Sequence, residues 1–134
     1  MELIAGTSRG VYRVIDGERL LDCASVKEVV EISGQLLVGC SAGLYRSLDG
    51  GEHWELIGFE ESEVWQIRAS QHRIWISTQP AGLYYSDDDG ATWNDVVAFN
   101  EAPERDSWCI PVDPILPGRA RALVINRVNP DQLL

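Results

Sequence analysis

Among its 134 residues the chain has one methionine, two histidines, three cysteines and a single lysine, Lys27. Each shortage narrows the reading. Cys23, Cys40 and Cys109 are odd in number, far apart and without a C-x-x-C pair. They read as free thiols, some of them core fillers, rather than as a disulfide framework or a zinc site. His53 and His72 have no ligand partner at metal-binding spacing, so no metal and no cofactor is expected. No apolar run approaches the roughly 18 residues that cross a bilayer, so no membrane association is expected. The start, Met1-Glu2-Leu3-Ile4-Ala5-Gly6, lacks the basic and apolar regions of a secretory signal. A cytoplasmic location is the expectation.

Positive charge is scarce as well. Eleven basic residues face twenty-one acidic ones, for a net charge of −10 and an isoelectric point near 4.5. That sign disfavours DNA, RNA and anionic membrane as partners, because phosphate recognition needs the opposite field. All bases but Lys27 are arginine. The acidic, lysine-poor composition resembles that of halophilic archaeal proteins, which stay soluble where salt screens charge to a few ångströms; an ordinary acidic bacterial protein is the alternative.

What the chain does have is a repeat. Leu3–Gly17 lies over Leu36–Gly50 at an offset of 33 without a gap, and Gly, Ser, Gly, Tyr, Arg, Asp and Gly coincide. A third copy runs from Ile74 to Ser86, with one extra residue before Gly82. β-branched residues, alternation and glycine at the junctions favour strands and tight turns over helical repeats. Four strands are predicted in the second copy, at about 29–33, 36–41, 43–48 and 53–57. The third copy predicts 64–69, 73–78, 82–87 and 92–99. The fold class is therefore all-β: sheets of four antiparallel strands joined by short turns, about three such units in residues 1–134, with a proline-rich inserted loop over 100–118. Repeated sheets of this kind are the blades of a β-propeller.

The third turn of each unit follows Ser-x-Asp-x-Gly-x-x-Trp: Ser47, Asp49, Gly51 and Trp54, then Ser86, Asp88, Gly90 and Trp93. The Asp is expected to accept backbone N–H bonds inside its own turn, and the Ser to tie one strand to the next. The glycines supply a conformation that a Cβ would penalise, and the indoles fold over the turn. Val14–Glu18 keeps only Asp16 and Gly17 of this pattern. Asp87-Asp88-Asp89 lacks the spacing and closing Glu of a calcium loop.

These turns resemble the BNR, or Asp-box, repeats of sialidase-like, photosystem assembly-factor-like and sortilin-like propellers, over most of Leu3–Phe99. Residues 78–90 and 107–111 are especially similar to the sialidase-like repeat proteins of haloarchaea and actinobacteria. The resemblance implies a propeller whose Asp boxes lie at its outer edge. It also raises sialidase-type glycoside hydrolysis, which in that family uses three convergent arginines, a Tyr–Glu pair, an Asp and an Arg-Ile-Pro motif. No Arg-Ile-Pro occurs here, and Arg13 and Arg46 occupy equivalent repeat positions that look structural. The leading expectation is a non-catalytic scaffold or binding module for a protein or small ligand, with no catalytic residue assigned. Trp108 in the inserted loop is the aromatic binding candidate, and Arg119 and Arg121 are the basic ones.

The two ends carry a further expectation. Leu3-Ile4 corresponds to the second strand of a unit, and Ala120–Asn126 reads as a first strand, followed by a turn at Asn129–Gln132 and by Leu133-Leu134. Either the chain is part of a longer propeller, or a homodimer exchanges these strands and closes a six-bladed ring.

Overall fold

In the computed structural model, which describes residues 2–124, the chain is all-β, with antiparallel sheets none of which closes on itself. Strands β1 (Ile4–Thr7), β2 (Gly10–Arg13) and β3 (Arg19–Leu21) form a three-stranded sheet in that order. The next sheet has four strands in sequence order: β4 (Glu28–Ile32), β5 (Gln35–Cys40), β6 (Gly43–Ser47) and β7 (Glu55–Gly58). A second four-stranded sheet follows the same plan with β8 (Glu63–Ser70), β9 (Arg73–Gln79), β10 (Gly82–Ser86) and β11 (Asn94–Asp95). A single helical turn, α1 (Val97–Asn100), a 3-10 turn (Arg105–Ser107) and a short hairpin of β12 (Cys109–Ile110) and β13 (Leu116–Pro117) complete the described elements.

The turns explain why neighbouring strands pair. Between β4 and β5, Ser33 and Gly34 both have positive φ, 52° and 79°. That geometry matches the right-handed twist of the strands it joins. The chain divides into two compact units, Met1–Val64 and Trp65–Leu134, with the boundary inside β8. In the first unit Val11, Leu21, Cys23, Val38 and Cys40 form a buried cluster, with Val26, Val29, Tyr45 and Trp54 packed against it. Side chains such as Val11 and Val38, fully removed from water, each contribute about 1.5–3 kcal/mol. In the second unit Trp75, Leu83 and Leu123 are buried together under Tyr85, Val96 and Phe99.

The predicted strands of the two four-stranded sheets lie within a residue or two of those observed, with one exception. Only Asn94–Asp95 of the predicted 92–99 strand pairs with β10, and the backbone then turns into α1. Asn100 replaces the missing ladder: its Oδ1 accepts the Leu83 N–H at 2.8 Å and its Nδ2 donates to the Leu83 carbonyl at 2.9 Å. The 100–118 segment is likewise more ordered than an inserted loop. Arg105 Nη1 donates to the Ala81 carbonyl at 2.7 Å and Gln79 Nε2 to that of Pro117 at 2.8 Å, which tie it to β9 and the turn beyond. Over Ala120–Val124 no strand ladder forms. Instead the Ala120 N–H donates to the Thr78 carbonyl at 3.0 Å, and Leu123 is buried with Trp75 and Leu83. The rest of the expected terminal strand, with the turn and Leu133-Leu134 after it, lies outside the described residues.

Candidate functional site

Two kinds of polar arrangement stand out, and they differ in whether their groups are already occupied. The first is the pair of Ser-x-Asp-x-Gly turns. Ser47 and Ser86 end β6 and β10 and are fully buried. Ser47 Oγ donates to Asp49 Oδ1 at 2.9 Å and accepts the Gly51 N–H at 2.8 Å. Ser86 does the same toward Asp88 at 2.7 Å and Gly90 at 2.8 Å. The hydroxyl thus stays within its own turn; the expectation that it ties one strand to the next is corrected. A serine at the strand end is too short to reach past the turn that folds over it.

Each Asp closes the far side of its turn. Asp49 Oδ1 accepts the His53 backbone N–H at 2.9 Å while Oδ2 meets His53 Nδ1 at 2.6 Å. Asp88 Oδ1 and Oδ2 take the Thr92 backbone N–H at 2.8 Å and its hydroxyl at 2.5 Å. These bonds favour the charged carboxylate. The His53 backbone and ring hold Asp49 down at about 2, and the Thr92 hydroxyl and backbone hold Asp88 at about 2. Gly51 and Gly90 have φ of 100° and 93°, where a side chain would be strained. Trp54 Nε1 donates to the Gly51 carbonyl at 2.9 Å, so its ring covers the turn while its body packs on the core. The reduced turn keeps part of this: Asp16 Oδ1 accepts the Glu18 N–H at 3.0 Å.

The neighbouring charges are engaged too. Asp87 forms a two-pronged pair with Arg73, at 2.6 and 3.0 Å, and so faces a different partner from Asp88. Arg46 reaches across to Glu55 at 2.8 Å. Arg13, at the equivalent repeat position, meets Asp16, Glu2 and Glu18. His53 and His72 are exposed.

The second arrangement is a groove in the second unit. Trp108, Arg119 and Arg121, thirteen residues apart at most, line one open cavity of about 570 Å³ together with Ser107, Cys109, Ile110 and Gly118. The β12–β13 hairpin brings them together, pairing Cys109 with Pro117. Beyond it the Gly118 N–H donates to the Trp108 carbonyl at 2.8 Å. A Cβ on Gly118 would lie 2.8 Å from that of Trp108, so the close approach needs glycine.

The two ends of the groove are held differently. The Trp108 ring packs on Phe99, centroids 5.4 Å apart and tilted by 54°, yet remains 37% exposed. The Arg119 guanidinium lies 4.2 Å from the centre of the Trp65 ring, a cation–π contact that fixes its direction. Arg121 is exposed. Among the described residues neither Arg119 nor Arg121 meets a carboxylate, whereas Arg13, Arg19, Arg46, Arg73 and Lys27 all do. Among the described residues no Asp, Glu or His lines the cavity.

Sequence reasoning missed Ser107, Cys109, Gly118 and the Trp65 stack. The only signal for them was the apolar pair on either side of a proline-rich turn, and the prolines obscured it. No protein-family model matches this chain, and neither does any curated protein.

Proposed function

We propose that this chain is a non-catalytic binding module of β-propeller type, whose Asp-box turns are structural clamps and whose binding site is the Trp108–Arg119–Arg121 groove. The propeller reading is supported by the repeat offset of 33 and by two sheets of identical strand order. In both, the same hydrogen-bonded turn follows the third strand. Up-and-down four-stranded sheets in tandem are what propeller blades consist of.

One observation carries the binding reading: Arg119 and Arg121, which meet no carboxylate among the described residues, line one open cavity with an accessible indole, in a chain of net charge −10. Guanidinium groups recognise carboxylates and phosphates through paired N–H donors, and the indole offers a flat apolar face. The ligand class is therefore a small anion, or an acidic peptide end, that carries a planar apolar part. The cavity volume lies within the range that holds such molecules. Among the described residues no carboxylate lines the groove, whereas glycoside hydrolysis works through a pair of them.

Naphthoate, an aromatic carboxylate, is a suitable probe, titrated while tryptophan fluorescence is followed. Saturable binding with a dissociation constant on the order of a millimolar or tighter is expected. The double variant R119A/R121A should weaken it about tenfold or more, the loss of one to two charge-assisted bonds. Binding that is absent, or indifferent to that variant, would overturn the reading. Turnover of chromogenic glycosides would favour the hydrolase instead.

A further inference from the structure

We propose that Cys23 and Cys40 form a redox-active dithiol, a built-in site for a reversible intrachain disulfide in the first unit. Cys23 lies just after β3 and Cys40 ends β5, with sixteen residues between them. Both are buried in one cluster, at 6% and 0% exposure. The two side chains pack in the same cluster, and Cys40 Sγ accepts the Ala42 N–H at 3.4 Å.

The backbone around them is already pinned. The Ser41 N–H donates to the Ala24 carbonyl at 3.1 Å, and the Lys27 N–H to the Gly39 carbonyl at 2.8 Å. The residue after each cysteine is thus bonded directly to the residue after the other. A disulfide needs its two Cα atoms within about 7 Å and the Cβ atoms turned toward each other; two cysteines in one buried cluster, each followed by a residue bonded directly to the other's neighbour, are held on adjacent backbone segments as that demand requires.

The chemistry balances with a small peroxide as oxidant. The Cys23 sulfur attacks one peroxide oxygen; an S–O bond forms, the O–O bond breaks, and the departing hydroxide takes the thiol proton to leave as water. The Cys40 sulfur then attacks the Cys23 sulfenic acid. The S–S bond forms, the S–O bond breaks, and the second hydroxide leaves as water with the Cys40 proton. Two thiols are oxidised and one peroxide is reduced to two waters. Burial pushes the Cys23 thiol up to about 12, reinforced by Cys40 beside it. The pair is therefore unreactive while covered. Reaction requires opening of the irregular segment Asp22–Lys27, which four backbone bonds hold against residues 7, 8, 39 and 41.

The test uses the full chain with C109S, which removes the exposed third thiol. Folded protein, checked by near-ultraviolet circular dichroism, is treated with excess hydrogen peroxide and analysed by intact mass and peptide mapping. The expected product has lost two hydrogens and yields one peptide pair linked through Cys23 and Cys40. Dithiothreitol should reverse it. The oxidised form should melt roughly 10 °C higher, as closing a loop of this length implies. In C40A/C109S, Cys23 should instead gain oxygen without cross-linking. The proposal is overturned if Cys23 or Cys40 gains oxygen atoms while its partner is intact. It is equally overturned if both stay reduced after Cys109 of the unaltered chain is fully oxidised. Should C109S fail to fold, peptide mapping of the unaltered chain gives the same two answers.

Discussion

Asp49 and His53 are joined twice: the carboxylate takes the backbone N–H through Oδ1 at 2.9 Å and meets the ring through Oδ2 at 2.6 Å. Asp88 and Thr92 repeat the arrangement in the third copy with a hydroxyl in place of the ring. The equivalence shows what the position requires: a group that donates back to the Asp four residues earlier.

This geometry predicts an acid dependence. Both carboxylates are held at about 2, well below the usual Asp value near 3.9. A depressed folded value means that the stabilisation is fully present above the unfolded value and is lost as pH falls through the folded one. The melting temperature should fall between about pH 4 and pH 2, on top of any general acid effect. The double variant D49N/D88N should flatten that part of the profile. An unchanged slope in the variant would show that the turns do not set it.

Ser47→Ala and Ser86→Ala each remove the acceptor for a buried glycine N–H. Leaving such a donor unpaired costs about 1–3 kcal/mol. Each variant should lose that much in urea denaturation, with Ser→Thr losing less if the methyl group fits. A loss near zero for both would mean that water replaces the hydroxyl.

Trp54→Phe separates the indole's two jobs. Phenylalanine keeps most of the apolar packing against Val11 and Cys40's cluster but cannot donate to the Gly51 carbonyl. A loss of about 1 kcal/mol is expected, against roughly 3–5 kcal/mol for Trp54→Ala. Equal losses in the two variants would show that the hydrogen bond, not packing, dominates.

Arg119 is aimed by Trp65, so Trp65→Leu should weaken naphthoate binding by several-fold even though Trp65 does not line the groove. Arg119→Lys should weaken it as well, because an ammonium lacks the paired donors and stacks poorly. Salt should reduce the affinity of the unaltered chain and change that of R119A/R121A little. Calorimetric titration at two ionic strengths separates these outcomes.

Much of the fold was legible because its contacts are local. A hairpin needs only a turn and two flanking strands, and Ser33-Gly34 or Ser47–Trp54 carry that information within a few residues. Where a strand end depended on a distant partner, reading failed: nothing near residues 97–100 shows that Asn100 will bond both backbone groups of Leu83. Prolines at 111, 114 and 117 pointed to an irregular loop, yet Pro111 directly follows β12 and Pro117 lies within β13, a short two-stranded hairpin whose edges tolerate proline.

By itself the sequence determined the all-β class, the repeat, and the role of the Asp in the Ser-x-Asp-x-Gly turns, since each of these is written in residues that touch their own near neighbours. Only the tertiary structure decided which side chains share a site. Trp108 meets Arg119 and Arg121 because a short hairpin folds the chain back on itself. Cys23 and Cys40 share one cluster because the irregular segment after β3 is bonded alongside the end of β5. Such meetings depend on the path of the backbone between the residues, and no spacing along the chain encodes that path.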